Sequence, residues 1–168
     1  SVANNLNDIS KDHPDLVLEI GEKWIGQSKE VDWVVKHGLR TLLKQGNTQA
    51  LMYFGFGNPE NIAVENLKLN PNPIKIGEDL FFNFELKNKD SKEVKLRLEY
   101  AIDYVKKNGK TSRKVFKIME NQYSNGITKI ERKQAFRDFS TRKHNPGIHH
   151  LDIIINGIVK VGMDFEVN

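Results

Sequence analysis

Arg142-Lys143-His144-Asn145-Pro146-Gly147 places two cations and an imidazole ahead of a Pro-Gly turn. That composition suits a loop tip small enough to enter a DNA groove. Arg132, Lys133 and Arg137 lie on the strand-like run leading to it, and Arg113 with Lys114 opens another such run. Basic side chains of this kind contact phosphates and release counterions on binding. The charge pattern sharpens the picture. The chain carries a net +4, with −2 over residues 1–60 and +6 over 61–168, and Lys106–Lys143 alone holds 12 basic and 3 acidic residues. A localised basic field steers polyanions towards itself. The same cluster also fits a solvated, solubilising face.

Lys36 and Arg40 are four residues apart, with Asp32 four before Lys36, so all three share a helix face. They read either as phosphate contacts or as an ion-paired surface row. Trp24 and Trp33 recur at helical spacing with apolar neighbours and are expected to pack rather than to stack on bases. His144, His149 and His150 invite a metal reading, but successive strand residues face opposite ways, so no metal site is expected. The absence of cysteine excludes a disulfide framework or a thiolate metal site and fits a reducing, cytoplasmic setting. No run of 18 apolar residues exists, so no membrane-spanning helix is expected.

Two periodicities organise these residues. Over the first 55 or so, apolar positions recur at helical spacing: Val2, Leu6 and Ile9, then Leu16, Val17, Ile20 and Trp24 behind Pro14 at a first helical position. A third stripe runs from Val31 to Leu43 behind a Ser28 N-cap, and Thr48–Phe54 forms one more short helix. Short helices joined by tight turns suggest a repeat array, and two hairpins are too few to stand comfortably alone. With no initiator Met and a start inside a helix, the chain reads as cut from a longer protein. Gly55-Phe56-Gly57-Asn58-Pro59 marks a boundary, after which the period becomes two. Leu80, Phe82, Phe84 and Leu86 alternate with polar residues, as do Val94 to Tyr104, and Asn156-Gly157 reads as a type I′ hairpin turn. About seven strands at regular spacing predict an immunoglobulin-like β-sandwich. The fold class is therefore α+β in two parts: a short helical stub over 1–57 and an antiparallel sandwich over 62–168.

Ser1–Pro14 and Val31–Lys44 resemble the last HEAT-like repeats of bacterial DNA-alkylation repair glycosylases, and Phe136–His149 with Ile155-Asn156-Gly157 resembles the immunoglobulin-like domain appended in their AlkC branch. The resemblance covers nearly the whole chain. It implies a DNA-binding C-terminal part of an enzyme that excises N-alkylated bases from duplex DNA without a metal or organic cofactor. It further implies that Asp8 is a catalytic carboxylate and that Asn4 and Asn5 donate to DNA or orient that carboxylate. Carboxylates near the sugar would stabilise oxocarbenium character as the alkylated base departs. The remaining carboxylates and a lesion-contacting aromatic are expected upstream of Ser1, leaving this chain alone inactive. For Asp8 a solvated helix face is the alternative. The competing functions are a non-catalytic protein-interaction module, since the fold does not determine function, and a binder of another polyanion such as RNA.

Overall fold

A computed structural model describes residues 1–141 and 143–168. The chain divides into two compact units, Ser1–Asn58 and Pro59–Asn168.

The first unit holds five helices: α1 (Val2–Asp12), α2 (Pro14–Trp24), α3 (Lys29–Gly38), α4 (Arg40–Lys44) and α5 (Thr48–Tyr53). Pro14 stands in the first turn of α2, and the Ser28 hydroxyl accepts the Val31 N–H to cap α3. Val17, Leu18, Val35, Leu39, Leu42, Leu43 and Leu51 share one core with Leu6 and Phe56. Two helical expectations are overturned. The buried face of α1 is Ala3, Leu6, Asn7 and Ser10, while Val2 is exposed. The third helix is not continuous: α3 ends at Gly38, and Leu39 leaves helical geometry before α4 begins. Gly38 is where α1 crosses, since a Cβ there would lie 2.9 Å from the Leu6 Cβ. A close crossing at Ala3, Leu6 and Gly38 buries the small-residue face rather than the most apolar one.

The second unit is an immunoglobulin-like sandwich of antiparallel strands. One sheet runs in the order β1 (Ile62–Asn70), β2 (Asp79–Asn88), β5 (Gly126–Ala135); the other runs β4 (Thr111–Tyr123), β3 (Val94–Val105), β6 (Gly147–Ile155), β7 (Ile158–Val167). Leu80, Phe82, Phe84 and Leu86 of β2 face Leu96, Leu98, Tyr100 and Ile102 of β3 in a single core. Asn156 and Gly157 both adopt positive φ, 45° and 78°, which a type I′ turn requires. β4 is much longer than its apolar run Val115–Ile118, because its polar residues pair along the full length of β3.

Candidate nucleic-acid interface

In the helical unit, Asn4, Asn5 and Asp8 lie on one exposed face of α1, three and four residues apart. Their placement depends on two buried polar neighbours that sequence reasoning missed. The Asn7 carbonyl oxygen Oδ1 accepts the Thr41 N–H at 3.1 Å, capping α4 from 34 residues away, and the Ser10 hydroxyl donates to the Asn7 backbone carbonyl at 2.7 Å. An Asn followed three residues later by Ser on the inner face was the available signal. This cap ties α1 to the start of α4, and Asp8 feels the charge of Arg40 as a result. A hydrogen bond from the Lys11 ammonium at 2.9 Å holds the Asp8 carboxyl below the usual carboxylate range, with Arg40 adding to the effect. Asp8 is thus an anion at neutral pH.

Lys36 and Arg40 do not form one row. The Lys36 ammonium sits over the rings of Phe54 and Phe56, 5.5 and 5.9 Å from their centroids. The Arg40 guanidinium folds back to donate to the His37 carbonyl at 2.7 Å, and the Asp32 carboxylate accepts the Gly26 N–H at 2.6 Å. The packing expected of Trp33 is overturned: it is 62% exposed and stacks on His37, ring centroids 5.0 Å apart. Trp24 also lies at the surface.

In the sandwich, the basic stretch is largely answered by carboxylates from elsewhere. Arg113 donates to Asp103 at 3.0 Å and to Asp152, 39 residues away, at 2.8 Å. Lys133 and Arg137 both reach Asp79, at 3.2 and 3.7 Å, and Lys117 pairs with Glu120. Arg137 lies beyond the end of β5 rather than on it. Arg132 and Lys133 stand on opposite faces of β5: Arg132 follows Ile130 towards the inner rim, where its charge reaches Tyr100 and Tyr123, while Lys133 points outward. Burial pushes the Tyr100 phenol up to about 12, with Tyr104 adding and Arg132 opposing.

The outer face of the second sheet carries two charged clusters. The Arg97 guanidinium meets Glu99 at 3.2 Å and Glu120 at 2.6 Å, and Glu99 is 0% exposed. On the neighbouring strands His150 hydrogen-bonds Asp164 at 2.5 Å and Asp152 at 3.0 Å. Burial disfavours the His150 cation, but these two carboxylates outweigh it and raise the imidazolium pKa above its usual value. Gly162 of β7 leaves room for this pair, because a Cβ there would fall on Asp152 Oδ1 and His150 Nε2. His149 faces inward, packed against Phe165, and burial lowers its pKa. Among the described residues, no group of three or more His, Asp or Glu side chains is placed to hold a metal ion.

The loop between β5 and β6 holds the remaining candidates. Arg142 lies outside the described residues. Lys143 is exposed, but His144 is not at the tip: it is buried beside Phe136 and Tyr104. Its backbone N–H donates to Asp138 Oδ1 at 2.8 Å, which holds the exposed Asp138 carboxyl below its usual range. His144 therefore fastens the loop. Asn145 then donates to the Val105 carbonyl at 2.9 Å, bringing the loop to the end of β3 where the β3–β4 hairpin carries exposed Lys106, Lys107 and Lys110. These hairpin lysines share an end of the sandwich with Lys143, which strand pairing decides and sequence distance hides. A polar hollow of about 410 Å³ on the first sheet balances Lys68 and Lys129 against Glu85 and Glu131, so it has no net attraction for a polyanion.

A family model for the C-terminal Ig-like domain of the uncharacterised protein YhaZ matches residues 63–168. The uncharacterized protein YhaZ of Bacillus subtilis (strain 168) is 48% identical over 99% of this chain, which spans 46% of that protein. The structure of the Pseudomonas fluorescens alkylpurine DNA glycosylase AlkC, bound to DNA containing an abasic site analog, superposes with a TM-score of 0.93 at 39% identity. That match covers 99% of this chain and 46% of the glycosylase. A Listeria innocua β-glucosidase matches 64% of this chain, and 16% of its own, with a TM-score of 0.50 at 16% identity, a likeness of fold alone. No helix among the described residues is long and apolar enough to cross a membrane.

Proposed function

The chain belongs to the family of the YhaZ C-terminal Ig-like domain, and from that premise we propose that it is the DNA-binding part of a glycosylase that removes N-alkylated bases from duplex DNA. The supporting observation is that the likeness to the DNA-bound AlkC structure runs through the helices and the sandwich together. In this reading residues 1–57 end a HEAT-like repeat array and 62–168 form a domain that grips the same duplex.

An alkylated purine is already a good leaving group, so the demand on the protein is to stabilise positive charge developing on the sugar. Asp8 suits that role. It is exposed, flanked by Asn4 and Asn5, and kept ionised by Lys11 and Arg40. A carboxylate whose pKa is lowered acts as a fixed anion, or orients a water, rather than as a general acid. In the whole protein, Asp8→Asn is expected to slow base release by about a hundred-fold or more. Phosphate contact falls to the exposed lysines at the loop-and-hairpin end of the sandwich, because Arg113, Lys133 and Arg137 are engaged by carboxylates.

Fluorescence-anisotropy binding of the chain to a short duplex, titrated in salt, tests this. Binding should weaken with a log–log slope of about −0.9 for each phosphate contacted. No binding at low salt would overturn the reading and turn attention to a protein-interaction module.

A further inference from the structure

Phe139 is 60% exposed on the loop between β5 and β6. Single exposed apolar side chains are ordinary on soluble proteins, and Phe81 and Ile127 are comparable examples on strands. Phe139 differs in its setting. Three residues before it, Phe136 is 0% exposed and packs against Tyr104, His144, His149 and Phe165. One residue before it, Asp138 accepts the His144 N–H and closes the loop across its base. Asn145 then ties the far side to Val105. The root is thus held by buried rings and hydrogen bonds, while the next aromatic is turned out to solvent. Fixing the backbone in advance reduces the ordering cost of using that side chain in a contact.

The surroundings indicate what it contacts. Lys143 lies at the other side of the same closed loop, and Lys106, Lys107 and Lys110 sit on the hairpin to which Asn145 joins it. Two of the acidic groups at this end are engaged, Asp138 within the loop and Asp79 with Lys133 and Arg137. One aromatic amid cations differs from the row of rings that binds single strands. It matches the arrangement in which an apolar wedge enters between base steps while flanking cations hold phosphates.

We propose that Phe139 is a wedge that stacks at a weakened step of duplex DNA. The assignment rests on the DNA-binding reading above and names the residue that senses loosened stacking, as distinct from those that supply charge. An abasic position is the favoured partner, since the missing base removes most of the unstacking cost.

The test uses this chain and a duplex carrying 2-aminopurine beside a tetrahydrofuran abasic analogue. Wild type should raise 2-aminopurine fluorescence on binding. Phe139→Ala should lose that rise and bind about ten-fold more weakly, with the salt slope unchanged, whereas Phe139→Trp should retain the rise. Lys143→Ala should keep the rise but flatten the slope by about 0.9. A Phe139→Ala chain that matches wild type in affinity and fluorescence overturns the wedge while leaving DNA binding intact. Failure of wild type to bind any duplex overturns the DNA reading and the wedge with it. Circular dichroism of Phe139→Ala should match wild type, because the side chain is not part of the core.

Discussion

The two units handle polar side chains in opposite ways. In the helices, the buried polar groups are neutral: Asn7 and Ser10 serve backbone partners, and the charged Asp8 stays in water beside them. In the sandwich, ionisable groups are brought together on one sheet: Arg97 with Glu99 and Glu120, and Arg113 and His150 with Asp103, Asp152 and Asp164. On the helices the ion pairs are exposed and local, between Lys11 and Asp8 and between Lys23 and Glu19. A sheet lines up charges from four strands, and they neutralise one another before a ligand arrives. Charge pairing can therefore be read from sequence spacing on the helical unit but not on the sandwich.

Both tryptophans fall in the helical unit, so their fluorescence reports that unit while strand circular dichroism reports the other. The largest expected effect is in the sandwich. Arg97→Met leaves the fully buried Glu99 without its guanidinium and should cost about 3–5 kcal/mol, shifting the strand transition in urea and not the tryptophan one. An unchanged strand transition would show that the Arg97 cluster is not what holds the second sheet. The reciprocal variant, Asn7→Ala, removes a buried cap and should cost the helical unit about 1–2 kcal/mol. Here the tryptophan transition should move alone.

A pH series separates the units further. The raised pKa of His150 contributes stability to the sandwich that is fully present below the unfolded value of about 6.5. That contribution is lost as pH rises through the higher folded value. The strand transition should weaken over that window, and His150→Gln should flatten the dependence. A slope that survives the substitution would assign it to another group. The smallest effect belongs to Lys11→Met. It should let the Asp8 carboxyl titrate closer to its ordinary value, visible by NMR, without moving either transition, because both partners are exposed.

Much of the fold was legible. The alternation of Leu80 to Leu86, the Asn156-Gly157 turn, the Ser28 cap and the change of period near Gly57 each follow from local rules. What failed was burial where helices cross. Val2 is more apolar than Ala3, yet Ala3 is buried because close approach at Gly38 needs a small residue. The spacing of Trp33 matches that of core residues, but helical spacing cannot say which face another helix covers. The basic neighbours of His144 suggest a loop tip, whereas its burial and its N–H bond to Asp138 make it the loop's fastening.

Local sequence determined the elements, the two-part division of periodicity and the residues able to do chemistry, because backbone propensity, capping and face alternation act over a few positions. Tertiary structure alone decided which charges remain available. Asp152 reaches Arg113 across 39 positions, and Asn7 reaches Thr41 across 34. Such partners are chosen by strand register and helix crossing, which depend on how whole faces fit together, so neither pairing can be read from the residues beside it.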